Sequence, residues 1–500
     1  MSTTASDTVM ERLGDRLNPL VVKEVRQGVR SRVFWVSFGL MLLSCFVLSL
    51  VAYVSTLDSG LSTQGKGFFF AFFVCLGVVH FFIIPYSAYR SLAREREDET
   101  WMLLVLTGLG PRRILRGKVA SFLVQAGLYA SAVGPFLLFS YYLNGIDLPT
   151  ILLVLVLAGG WLVFLTVVAV CAAALPEARM EQSFIHLVLL AGLGLGLALG
   201  LSSAFGLIQL GSGFLLRSGL PGLLILCGVF LVPLFIWVWL LFEAAVARLS
   251  LLTENYTRGP RRALVLQMLL AAMLAGGARL WGGPDTGDVL VVSILGCLHL
   301  GFVGIFLVTD LDGQAPALRA GTRAWSLLRP GAVRGFRLLA LLVLFWAGVC
   351  ATLLVLAKER PASAADGLGT LAAPAYTLFY LSLPLLVGRL PRASRFAAPM
   401  AGRTLFFLSL GLSATLLPLL ALLFGQEAGH PFFNLFNPVA GMVNFARYHF
   451  DPLSVHGSGE SLEGPEMSPA ALVCLWLVAA ITAWVTDRTL VEREQLAHAS

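Results

Sequence analysis

The chain is 500 residues long, 58% hydrophobic and only 13% charged, with mean hydropathy +0.84. A soluble globular protein carries roughly 25% charged residues, so the polar residues here are too few to cover a soluble surface and lipid must cover much of it. The net charge of +7 does not point to nucleic acid, because the basic residues cluster between apolar runs, where they report membrane topology.

Residues 1–32 are polar and charged. They end in NPLVVKEVRQGVRSR, in which Asn18 can cap a helix and Pro19 suits its first position. Val22, Val25 and Val29 fall on one face, and Lys23, Arg26, Gln27 and Arg30 on another. The pattern predicts a short basic amphipathic helix on the inner leaflet, where anionic lipid favours Lys and Arg. Its candidate interfacial charges are Lys23, Glu24, Arg26 and Arg30. The first apolar run, 33–56, exceeds the ~7–15 residue core of a signal peptide and ends without a small-residue cleavage pattern. It is expected to stay as an anchor.

About 20 apolar residues cross a bilayer as a helix. Twelve runs meet that length: 33–56, 68–90, 119–142, 149–175, 184–210, 221–247, 263–281, 289–309, 338–357, 370–390, 404–425 and 469–486. They are continuous rather than alternating, which excludes a β-barrel. The predicted fold is an all-α polytopic integral membrane bundle of about 12 transmembrane helices. With the N-terminus inside, all 35 Lys and Arg fall on the inner side except Lys66, Arg217, Arg279, Lys358, Arg360 and Arg447. That bias predicts both termini in the cytosol. The expected organisation is a cytosolic segment 1–32, a six-helix unit 33–247, a connector 248–262, a second six-helix unit 263–486 and a cytosolic tail 487–500. No six-plus-six repeat is visible along the residues.

The stretch between the second and third runs is the most structured of the connections. Residues 94–99 are all charged. A short apolar segment follows, then Gly110-Pro111, then Arg112, Arg113, Arg116 and Lys118. Met102, Val105, Leu106 and Leu109 predict a one- to two-turn helix with an apolar face, ended by Gly108 and Gly110, with Pro111 restarting a helix into the third span. So short a helix is not stable alone and needs a partner surface or the interface. On the other side of the membrane, residues 426–468 form the longest loop. In it Val439, Met442, Val443 and Phe445 have helix-like spacing, and a short helix at the outer interface is expected.

The spans are nearly bare of ionisable groups, which secondary carriers need at mid-membrane. His80, His186, His299 and Glu243 are the candidates, and Glu243 is expected to meet Arg248 near the inner end of its span. The seven cysteines all lie in apolar runs and read as packing residues. His430, His449 and His456, with Glu427 and Asp451, match no metal-ligand spacing. No cofactor or metal is expected. A phosphate-cradling loop needs G-x-x-x-x-G-K-[ST]; the nearest string, Gly110 to Lys118, has the wrong spacing and is followed by Val119. The chain is therefore not expected to be an enzyme.

The helix before the first span, followed by Glu95, Glu97, Thr100, Leu103, Leu104 and Thr107 in an E-x-E-x-x-T-x-x-L-L-x-x-T pattern and then by Gly117-Lys118, resembles the permease subunit of ABC transporters of the type-2 exporter class. The resemblance covers about residues 18–142. It implies that Lys23, Glu24, Arg26 and Arg30 belong to an interfacial connecting helix. It implies also that loop 91–118 is a coupling element, with Glu95, Glu97, Thr100, Leu103, Leu104, Thr107, Arg112 and Arg113 as its docking residues. The implied function is export of an unknown substrate across the plasma or inner membrane, with ATP hydrolysed by a separate ATPase subunit. Membrane lipid is a further partner, and a second permease chain is left open. A permease of this class has about six spans and this chain has twice that number. Loop 311–336 is basic but has no E-x-E run. An ATP-independent carrier or a non-transporting scaffold is the alternative.

Overall fold

The computed structural model describes residues 19–59, 65–98, 110–143, 145–176, 179–251, 254–282, 286–309, 318, 325–356, 364–387, 399–428, 430–447 and 467–499. Among these, twelve helices are long and apolar enough to cross a membrane, and there is no strand. The protein is an all-α multi-pass membrane protein. It folds as two compact units, Met1–Ser250 and Leu251–Ser500.

In the first unit, α1 (Pro19–Val29) precedes α2 (Arg32–Ser59), α3 (Gly65–Glu97), α4 (Pro111–Tyr142), α5 (Leu148–Ala174) and α6 (Arg179–Leu249). Helix α2 leaves Trp35, Leu40, Leu43, Phe46 and Leu50 at least half exposed, which only a hydrocarbon solvent makes favourable. Its inner side meets α4, where Tyr129 packs on Phe34 and Phe38 and its hydroxyl donates to the Phe34 carbonyl at 3.1 Å. Helix α3 is central and packs on α4, α5 and α6. It contains a π-helical turn over Val79–Ile83, where buried His80 lies 3.0 Å from the Ala126 carbonyl of α4. Helix α3 runs on through the charged residues to Glu97, seven residues past the expected end of the span. Pro111 does open the next helix, on an extended Gly110.

A straight helix of the 71 residues in α6 would be about 107 Å long at 1.5 Å per residue, far beyond a bilayer. Gly211 within it stands at φ 56°, a left-handed conformation that glycine takes without steric cost. Helix α6 contains two membrane-length apolar stretches, Gln182–Gly211 and Cys227–Leu249.

The second unit comprises α7 (Arg258–Gly282), α8 (Thr286–Val308), α9 (Ala332–Val355), α10 (Ala364–Val387), α11 (Pro399–Leu423), the short α12 (Pro431–Asn434), α13 (Pro438–Arg447) and α14 (Pro469–Ala499). Helix α8 is central here. Ser293 donates to the Thr370 carbonyl of α10 at 2.7 Å, and Trp346 of α9 donates to the Ser293 carbonyl at 3.3 Å. Helix α10 is tied to α14 by Trp476 donating to the Leu371 carbonyl at 3.1 Å. Helix α13 lies in the predicted external stretch, where a short helix was expected. Val439 and Val443 are exposed, whereas Asn437, Gly441, Asn444 and Phe445 are buried. The reason is polar: Asn437 caps the helix by accepting from the Val439 and Ala440 amides at 3.0 and 3.1 Å, and Gly441 lets the Tyr376 hydroxyl of α10 approach.

The repeat that is invisible in the residues is present in the packing. In each unit the second span contacts the third, fourth and fifth, the third contacts the first, fourth and last, and the fourth contacts the last two. At Gly335 of α9 an added Cβ would meet the Leu307 carbonyl oxygen of α8, while at Gly348 of the same helix it would meet nothing within 4 Å. Gly335→Ala must therefore push two helices apart and is expected to cost about 1–3 kcal/mol. Gly348→Ala should instead stabilise the helix by up to about 1 kcal/mol. Thermal unfolding midpoints in detergent check both signs.

Candidate functional site

The candidate residues converge where α1 lies, α3 ends and α4 begins. Helix α1 forms as predicted, with Lys23, Arg26, Gln27 and Arg30 exposed along one side. Glu24 turns the opposite way and is buried, and Gly28 beside it lets the Gln125 side chain of α4 come close. On α3, Ser91 and Glu95 lie one turn apart on one face, while Arg94, Glu97 and, just past the helix, Asp98 are exposed. Lys118 of α4 reaches between these elements. Its fully buried ammonium donates to Glu95 Oε1 at 2.7 Å, Ser91 Oγ at 2.9 Å and Glu24 Oε1 at 3.2 Å.

Three helices are thus joined at one cation. An ammonium has three protons to donate and no acceptor, and each proton here has an oxygen from a different residue. Two carboxylates against one ammonium leave the cluster with a formal surplus of negative charge. It holds together because the lysine stands between them.

A second group of contacts closes the same end. Arg96 donates to the Ala173 carbonyl at 2.9 Å and the Pro176 carbonyl at 2.8 Å, and Arg248 donates to the Leu175 carbonyl at 3.3 Å. These are the orphan carbonyls at the C-terminus of α5, where cations are favoured by the helix dipole. Arg112 pairs with buried Glu243 of α6, which also accepts from Trp239 Nε1 at 3.3 Å. Arg112 thus takes the place at Glu243 that the sequence offered to Arg248. Arg112 stands at the second position of α4 and comes across from another helix, while Arg248 turns to α5. Glu97 accepts from Gln182 of α6.

Of the sequence-derived docking residues, Glu24 and Glu95 meet through Lys118. Glu97 and Arg112 each bridge to α6, and Arg113 is exposed at the start of α4. Thr100, Leu103, Leu104 and Thr107 lie outside the described residues. Sequence reasoning had no role for Ser91, Arg96 or the Lys118 ammonium. The i, i+4 spacing of Ser91 and Glu95 was the available signal.

The three histidines of the spans have separate partners: His80 the Ala126 carbonyl, His186 the Tyr86 hydroxyl at 3.3 Å and His299 the Gln267 side chain at 3.0 Å.

The corresponding end of the second unit is held by arginines. Fully buried Arg261 donates to the carbonyls of Leu327 at 2.8 Å, Gly331 at 3.0 Å and Arg329. Arg334 pairs with Glu494 at 2.7 Å, and Arg337 grips Asp487 in a bidentate pair at 2.7 and 2.9 Å. A side chain just before the first span in the first unit, and at its start in the second, therefore pins the entry to the third, and in both units the entry to the third pairs with the last. Compared with protein-family models, with curated proteins and with solved structures, the chain matches none.

Proposed function

We propose that the protein is the membrane-spanning permease component of an ABC export system, in the plasma or inner membrane, driven by ATP hydrolysis in a separate ATPase subunit. The observation that carries this reading is the Glu24–Lys118–Glu95 cluster. The segment between Glu97 and Gly110 leaves α3 and enters α4, and both helices are tied to α1 at one buried ammonium. A force applied to that segment by a docked partner is transmitted to three elements together. ATP-driven closure of the partner would then bias two bundle conformations, to the extent that the partner binds them unequally. The separate partners of the three histidines favour this over a proton-relaying carrier.

The test uses exposed charges outside the buried Lys118 cluster, of which Glu97 gives up only its contact with Gln182. Glu97 and Arg113 are exposed and flank the loop, whereas Glu95 is a positioning residue of the buried cluster. With wild-type protein, a soluble ATPase chain should co-purify in detergent. Glu97→Lys combined with Arg113→Glu should weaken that association at least about tenfold, or about 1.4 kcal/mol, with the unfolding midpoint unchanged. Absence of any ATPase with the wild type, or undiminished association of the double variant, overturns the proposal.

A further inference from the structure

At the start of α7 an open groove of about 540 Å³ is lined by Asn255, Arg258, Arg262, Trp325, Leu328 and Arg329. Arg258 and Arg262 are exposed and one helical turn apart, so they share a face. Between them Arg261 turns inward and fastens the opposite wall by its bonds to the carbonyls of Leu327, Arg329 and Gly331. Trp325, 69% exposed, carries the Arg337 guanidinium 5.5 Å from its ring centroid. Both walls are thus held in place, and among the described residues no carboxylate lines the groove.

Its position fixes what it meets. Arg258 is the first residue of a 23-residue span, about the length that crosses the hydrocarbon. The groove therefore lies in the headgroup layer, where tryptophan is enriched. Guanidinium groups bind phosphate in bidentate geometry, and basic pockets beside transmembrane helices suit anionic headgroups. We infer that this groove holds the headgroup of one anionic diacyl phospholipid, its phosphate between Arg258 and Arg262 and its glycerol region against Trp325. The inference is independent of the ABC reading and names a site on the second unit, distinct from the basic face of α1.

The test is native mass spectrometry of the full-length protein from nanodiscs of phosphatidylcholine with one-fifth phosphatidylglycerol. Wild type should retain one tightly held phosphatidylglycerol more than Arg258→Gln/Arg262→Gln, with at least a tenfold difference in occupancy of that lipid. Phosphatidylcholine, which has the same phosphate without net charge, should not replace it, and inorganic phosphate should not displace it. Equal retention of the two lipids, an unchanged double variant, or displacement by inorganic phosphate would each overturn the assignment. Should the double variant yield no folded protein, Trp325→Ala reads the same site. It should lower occupancy severalfold, and unchanged occupancy counts against the site.

Discussion

Lys118→Met is expected to be among the most damaging single substitutions in the first unit. The lysine is fully buried, and its partners Glu24 and Glu95 have side chains 10% and 22% exposed. Removing the cation leaves two carboxylates facing one another across an apolar side chain. Breaking a buried ion pair by deleting one partner costs about 3–5 kcal/mol, because the remaining charge stays desolvated. Against a total stability of about 5–15 kcal/mol, that is a large share. The unfolding midpoint in detergent should fall steeply, and the yield of folded protein with it. Glu24→Gln and Glu95→Gln added to Lys118→Met should recover most of the loss, since replacing the whole ionic group is far less costly than breaking it. Arg94→Met, on the exposed side of the same turn, should stay within about 0.5 kcal/mol of wild type. A Lys118→Met protein that unfolds at the wild-type midpoint would show that the cluster does not hold the three helices.

Arg261→Met should have an effect of similar size in the second unit. The guanidinium serves the carbonyls of Leu327, Arg329 and Gly331 at once. Hydrogen bonds to charged groups contribute about 1.5–3 kcal/mol each, and their losses overlap, so about 3 kcal/mol or more is expected. Arg261→Lys should not rescue, because an ammonium lacks the planar fork that reaches several acceptors. Hydrogen exchange should show the amides around 325–331 losing protection in both variants. The flanking Arg258→Gln and Arg262→Gln should leave exchange and midpoint unchanged. Five consecutive residues, 258–262, thus hold one structural arginine and two exposed ones, and equal behaviour of all three would refute that division.

Much of the architecture was legible because lipid imposes one requirement per span. A helix must be long and apolar, and the runs beginning at 33, 119, 149 and 469 meet helices α2, α4, α5 and α14. Helix α1 and the restart at Pro111 were readable from capping and proline chemistry. The π-helical turn at Val79–Ile83 was not, since it depends on how α3 meets α4 around His80. The extension of α3 to Glu97 was hidden because a charged run looks like a loop until its carboxylate and guanidinium have buried partners on other elements. The Arg112–Glu243 pair joins residues 131 positions apart, beyond any local pattern. Helix α13 was readable from its apolar spacing, but the inward turn of Asn437 and Asn444 was not, because it depends on how the helix meets α10. The repeated packing escaped notice because equivalent positions use different chemistry: an ammonium between carboxylates in one unit, a guanidinium on backbone carbonyls in the other.

The two ion pairs that close the second unit also set an order of assembly. Arg337 precedes Asp487 by 150 residues, and Arg334 precedes Glu494 by 160. At about 5–20 residues per second, the ribosome needs roughly 8–30 s to supply the acids. During that interval Arg334 and Arg337 lack these carboxylates, so α9 is expected to complete its packing only once α14 is present. The last segment to be synthesised is therefore expected to close the second unit, with translation timing that step.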